Sequence, residues 1–297
     1  MWCDSHETFL FDSNLDYWNK IHWYSHGTIN RLQTAQAFIQ DENINIRQRF
    51  HLACTYYFED DVRTLWENMT LGYRTFLMKN IYLSSSRMVW LNTIKRRAPL
   101  NWTQITHTVE RDNFSAYDSR KFSFRNHLGL LHAFSKQESP VARFISLQAA
   151  IRSRELPPFD LYLCLIQMED SEILNTFYHL SENEKYVLIR TFLYWPLQDL
   201  FQNVVEKFRN NISNIIYSEL FRFILSEKFE TRWTDHDYVD LVKAFWAPLS
   251  ARAKSEIAGH TMFPCLLHIL ENDGQQAVSV SFIRIRKIWG ALRPRLF

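Results

Sequence analysis

Apolar residues along this chain recur at helical rather than strand spacing. Leu197, Leu200, Phe201, Val204, Val205 and Phe208 follow the i, i+3, i+4, i+7, i+8, i+11 stripe that one helix face buries. Ile212, Ile215, Ile216, Leu220, Phe223 and Ile224 predict a second helix, and Tyr238, Leu241, Val242 and Phe245 a third. Start signals agree with the stripes. Ser181-x-x-Glu184 has the form of a capping box ahead of Tyr186–Tyr194, and Thr234-x-x-Asp237 offers a weaker one ahead of Tyr238. Pro157 and Pro158 open Phe159–Met168, while Pro196 breaks or begins a helix after Trp195. The result is a series of helices of about 10–16 residues with short links, the pattern of packed helical hairpins.

Three stretches read differently. Residues 1–27 are aromatic and irregular and are expected to form an N-terminal cap. Residues 110–121 (ERDNFSAYDSRK) are expected to be a longer exposed loop, the place where the array could subdivide. Val278-Ser-Val280-Ser-Phe282 alternates like a strand, but Val278, Phe282, Ile285, Trp289 and Leu292 also share a helix face, and helix is predicted there.

Weak self-similarity runs through the chain. Cys54-Thr-Tyr-Tyr-Phe-Glu-Asp-Asp is echoed by Cys164-Leu-Ile-Gln-Met-Glu-Asp-Ser and, more loosely, by Cys265-Leu-Leu-His-Ile-Leu-Glu-Asn-Asp. Trp66, Trp246 and Trp289 each follow an apolar residue and precede Leu or Met by three positions, with Tyr194-Trp195-Pro-Leu197 as a shortened version. Each hairpin would then need a bulky knob to fill the gap against its neighbour, since stacking is what completes the core. The window His51–Trp66 resembles the ankyrin helix pair. That family's His, two small residues, later Val and closing leucines fall on His51, Ala53, Cys54, Val62, Leu65 and Trp66, while Tyr57-Phe58 replaces its mid-motif Gly-His. The family's Thr-Pro and its glycine-bearing fingers have no counterpart here. The resemblance implies a divergent two-helix solenoid and the usual activity of that family, holding protein partners.

Composition narrows the alternatives. Six glycines in 297 residues are about a third of the usual share of roughly 7%. Doubly wound nucleotide binders and many-stranded β proteins are thereby starved of turn residues. Thirty-four basic and 32 acidic residues leave a net charge of +2, with no global pull toward nucleic acid or anionic lipid. The four cysteines, Cys3, Cys54, Cys164 and Cys265, are far apart, and three lie in apolar helical stretches as reduced core residues would. The first residues lack the basic region and apolar run of a signal peptide, and no run reaches membrane-spanning length. An intracellular, cytoplasmic protein is expected.

Little catalytic equipment is legible. Gly-rich phosphate loops, a nucleophile elbow, HExxH and zinc-finger spacings are all missing from the sequence. His22 and His26 stand at i, i+4, with His6 or Asp16 as a third candidate ligand, but no fourth ligand follows at a defined spacing, and no metal or other cofactor is assigned. His127 and His132 are five apart and so on different helix faces. Asp235-His236-Asp237 reads as a helix start. Glu59-Asp60-Asp61 and Glu169-Asp170 read as hairpin turns capping the next helix.

Basic residues cluster at Lys95-Arg96-Arg97 and in the C-terminal stretch, where Arg284, Arg286, Lys287, Arg293 and Arg295 could form an anionic-ligand surface. The sequence thus predicts an all-α protein in which residues 28–297 form one array of stacked short hairpins. Its expected role is non-catalytic binding of an unknown protein partner. Two alternatives stay open: nucleic-acid or phosphoinositide binding through the basic C-terminal helix, and an unrecognised hydrolase.

Overall fold

The fold was analysed in a computed structural model, which describes residues 18–79, 85–99, 134–153, 157–231 and 233–272. Helix makes up 72%, and there is no strand among the described residues. The low glycine content has this as its counterpart, because short helical links do without the left-handed turns that hairpin strands demand. The chain divides into two compact units, Met1–Leu156 and Pro157–Phe297.

In the first unit, residues 18–30 make a 3-10 turn at Trp18–Lys20 and an isolated antiparallel bridge between Trp23 and Ile29. Gly27 closes the intervening turn at φ 84°, a backbone that glycine adopts without a steric penalty. Helices α1 (Arg31–Gln40), α2 (Ile46–Thr55) and α3 (Glu59–Asn68) then pack in succession, followed by α4 (Leu71–Lys79) and α5 (Ser85–Arg96). Ala35, Ile39, Phe50, Ala53, Cys54, Val62 and Leu65 form their shared core. The indole N–H of Trp90 on α5 donates to the carbonyl of Cys54 at 3.1 Å, and the Arg63 guanidinium donates to the carbonyl of Ala98 at 2.6 Å. Tyr57 links α2 to α3 at φ 59°, left-handed backbone in a buried aromatic residue. Helix α6 (Pro140–Ser153) ends the described part of this unit.

The second unit contains α7 (Pro158–Leu165), α8 (Asp170–His179), α9 (Glu182–Arg190), α10 (Phe201–Phe208), α11 (Asn214–Phe223), α12 (Tyr238–Trp246), α13 (Ala251–Ala258) and α14 (Phe263–Glu271). Helix α11 runs on into a π-helical turn, Ile224–Phe229. Packing joins alternate helices: α9 lies on α11 and α11 on α13, while α10 lies on α12 and α12 on α14. Phe245 sits at the centre, fully buried, with its ring 5.0 Å from Phe201, 4.5 Å from Phe221 and 5.6 Å from Tyr217. Phe177 of α8 stacks on Phe208 of α10 at 4.0 Å.

Helix starts follow the local sequence. Ser181 and Glu184 form a reciprocal capping box, Glu184 N–H donating to the Ser181 hydroxyl and Ser181 N–H to the Glu184 carboxylate. Ser213 and Ser250 accept from Ile216 N–H and Ala253 N–H in the same manner. Ahead of α12 the cap is Asp237, which accepts from Val239 and Asp240, rather than Thr234. A residue at the helix threshold satisfies the orphan amides directly, and Thr234 lies three positions too early. Proline sets the start of α7, with Pro157 as its N-cap and Pro158 as its first residue.

The expected stripes at 197–208, 212–224 and 238–245 are buried except for Leu200 and Val204, which are half-buried, and Ile215, which is 69% exposed. The tryptophan knobs also sit differently. Trp66 and Trp246 are half-buried, and the sealed positions are the residues before them, Leu65 and Phe245. The preceding residue continues the i, i+3, i+4 stripe, which leaves the indole on its margin. There Trp246 bridges Phe221 and Phe263, at 5.8 and 6.1 Å. Cys54 and Cys164 both end the first helix of a pair, ahead of an acidic first turn, whereas Cys265 lies at the start of α14. The stretches 110–121 and 278–282, together with Cys3 and Trp289, lie outside the described residues.

Candidate functional site

A polar and aromatic cluster in the second unit lies where the α9–α10 and α11–α12 links meet. The first link contributes Tyr194, Trp195 and Gln198, set by two short 3-10 turns around a cis Trp195–Pro196 bond. The second contributes Lys228 from the π-helical turn, then Trp233, Asp235, His236 and Tyr238. Gln198 Nε2 donates to Asp235 Oδ2 at 2.7 Å and to Tyr238 Oη at 3.3 Å, while the Tyr238 hydroxyl donates to Asp235 Oδ1 at 2.9 Å. Both carboxylate oxygens are therefore engaged, one from each link.

Lys228 is only 3% exposed, and its charge meets aromatic faces. Its Nζ lies 5.0 Å from the ring centre of Tyr194, 4.9 Å from that of Trp233 and 5.2 Å from that of Tyr238. Burial lowers its pKa below the ordinary lysine range, and the charges of Asp235 and Glu227 act against that shift. Burial likewise raises the phenols of Tyr194 and Tyr238, which are held protonated. His236 Nδ1 is 3.7 Å from the exposed carboxylate of Asp199. Outside this buried network the link edges carry half-exposed indoles, Trp195 at 49% and Trp233 at 52%.

Among the sequence candidates, His22 and His26 fall in the bridged turn before α1 and do not share a helix face. The His22 N–H donates to Thr34, and His26 Nε2 is 3.2 Å from the Thr28 hydroxyl. No group of three His, Cys, Asp or Glu that could hold a metal occurs among the described residues. The acids at Glu59-Asp60-Asp61 and at Asp170 occupy the first turns of α3 and α8, where the helix dipole favours them, and no side-chain cap bond forms at either start. Asp61 has its carboxyl raised by burial and by the neighbouring Asp60. Lys95 and Arg96 close the last turn of α5, the dipole's negative end. His127, His132, Arg284, Arg286, Lys287, Arg293 and Arg295 lie outside the described residues.

Sequence reasoning passed over Gln198, Lys228 and Trp233, and it placed Trp195 among the packing knobs. The available signal was the separation of Trp195 and Trp233, one in each successive link. No helix among the described residues is long and apolar enough to cross a membrane. No family model, curated protein or solved structure matches the chain.

Proposed function

We propose that the chain is a non-catalytic protein-interaction module of stacked helical hairpins, of ankyrin-like or related two-helix type. The observation that carries this reading is the regular reach of its cross-links in the second unit. Ser213 donates to Glu182, Gln198 to Asp235, Gln202 to the Leu241 carbonyl and Asn214 to Glu256, at separations of 31, 37, 39 and 42 residues. Each bond thus joins one hairpin to the next, the first three at corresponding places, the nearest-neighbour connectivity on which repeat arrays are built. The packing of α9 on α11 on α13, and of α10 on α12 on α14, follows the same step.

In the first unit, Tyr57 supports the family resemblance. It stands where the ankyrin pair has glycine, and its φ of 59° is the backbone that glycine would serve. Arrays of this kind work by presenting the same position of successive hairpins to one extended ligand. Aromatic side chains at such positions are the type that dominates interface energetics.

The test is affinity capture on the immobilised full chain from its native source, with quantitative mass spectrometry, alongside a hydrolase screen with and without chelator. Saturable capture of a defined polypeptide and no turnover is the expected result. Robust turnover that is lost with chelator would overturn the binding reading.

A further inference from the structure

Three hairpin tips in the second unit form an edge with a consistent chemistry. The tips are residues 166–170, 194–199 and 230–237. The 3-10 turn that enters the second tip packs on α7, with Phe192 edge-on to Tyr162 at 6.2 Å, and the Gln198–Asp235 bond joins the second tip to the third. In sequence these tips hold six acids and one basic residue, Arg232. Asp170 is paired with Lys207 at 2.7 Å, Asp235 is held by Gln198 and Tyr238, and Asp237 caps α12, while Glu169, Asp199 and Glu230 stand one on each tip. The Asp199 side chain is 90% exposed. Large side chains stand out beside these acids: Ile166 on the first tip, Trp195 on the second and Trp233 on the third. Lys228, held against three rings, acts on Asp235, so the edge depends chiefly on the exposed Asp199 and the indole of Trp195.

Half-exposed indoles beside carboxylates are complementary to one ligand chemistry. A guanidinium or ammonium gains from the ring face and from the acid together. Packed helices lie about 8–10 Å apart, and a polyproline-II segment, with three residues per turn, advances about 3.1 Å per residue and returns to the same face every third residue. Cationic side chains three residues apart on an extended segment would therefore meet successive tips. We propose that this edge is the docking site for an extended, Arg- or Lys-rich segment of a partner protein. The proposal rests on the protein-binding reading above and adds to it the place and the charge of the ligand.

Fluorescence anisotropy tests it, using a labelled peptide with arginine at every third position, the same peptide with glutamate there, and the full-length protein. The arginine peptide is expected to bind, to weaken as salt screens the acids, and to lose about fivefold or more in affinity to a Trp195→Ala, Asp199→Asn double variant. Ile215→Ala, an exposed change on α11, should leave binding unaltered. Both tip substitutions are at exposed positions, and an unchanged melting temperature verifies that the variant is folded. Equal binding of the glutamate peptide, or arginine-peptide binding that ignores the tip variant, would overturn the proposal. Native capture separates the two levels. A partner retained by the tip variant refutes this site and leaves the module intact, whereas failure of the unmodified protein to capture any polypeptide refutes the module reading itself.

Discussion

Gln198 and Asp235 are 37 residues apart in sequence, yet the amide of one lies 2.7 Å from the carboxylate of the other. Tyr238 holds the second carboxylate oxygen, so one acid ties two consecutive links together. Gln198 is buried, and Gln198→Ala would leave the Asp235 Oδ2 without its donor. Asp235 is only partly buried, so the expected cost is about 1 kcal/mol, the ordinary net worth of a hydrogen bond. Thermal unfolding of the variant checks this, and an unchanged midpoint would mean that the links are not coupled through this bond.

Lys228 gives a prediction about pH. Its pKa is lowered in the folded protein from an ordinary value of 10.5. Between those two values the unfolded chain binds more protons than the native one, so native stability rises with pH. Below the folded value the buried charge is a constant handicap. The intact protein should therefore gain stability relative to Lys228→Met as pH is raised from neutral toward 10.5, and the difference should be flat below that range. Denaturant titrations of both proteins at several pH values decide it. A difference that stays constant throughout would show that the amine is fully solvated.

Phe245 and Trp246 are neighbours with different expected costs. Phe245 is sealed among Phe201, Phe221 and Tyr217, so Phe245→Ala should cost about 3–5 kcal/mol. Trp246 keeps part of its surface in water, and Trp246→Ala should cost clearly less. Equilibrium unfolding of the two variants side by side would expose the reverse order if the indole were the principal core group.

These contrasts show which parts of the molecule were legible in the sequence. The Ser181–Glu184 cap was readable because its partners are three residues apart and need no tertiary context. Stripe residues such as Leu197, Phe201, Val205 and Phe208 were readable for a similar reason, since one helix repeats its own period. The candidate site was not. Gln198 has no local partner, and its bond to Asp235 exists only after two links have been brought together. Lys228 looks like a solvated surface cation until three aromatic rings from different segments close around it. Trp195 carries a shortened version of the Trp66 pattern, and packing separates the exposed indole from the half-buried one. The spacing of His22 and His26, to which no metal is assigned, carries no information for the opposite reason, because it matters only on a helix and the chain turns there instead.

Cys54, Cys164 and Cys265 are buried free thiols. Burial raises the pKa of Cys164 and of Cys265, which removes the reactive thiolate. Native protein should therefore resist thiol reagents at these three positions, with labelling appearing only across the unfolding transition. Mass spectrometry of a denaturant series would reveal fast native modification if any of them were accessible.

The wide turn at Ile224–Phe229 bears on which changes of length the chain can accept. A π-helical turn is the place where a helix accommodates a residue beyond its regular count. Deleting Ser226 should let the segment close to ordinary α-helix while Lys228 and Phe229 continue to face inward. The same deletion within Asn214–Phe223 would rotate everything beyond it by about 100°, one residue's worth of helix, and would carry Phe223, Ile224 and Phe229 away from the core they share. Two shortenings of equal size, a few positions apart, should thus differ between a protein that folds and one that does not.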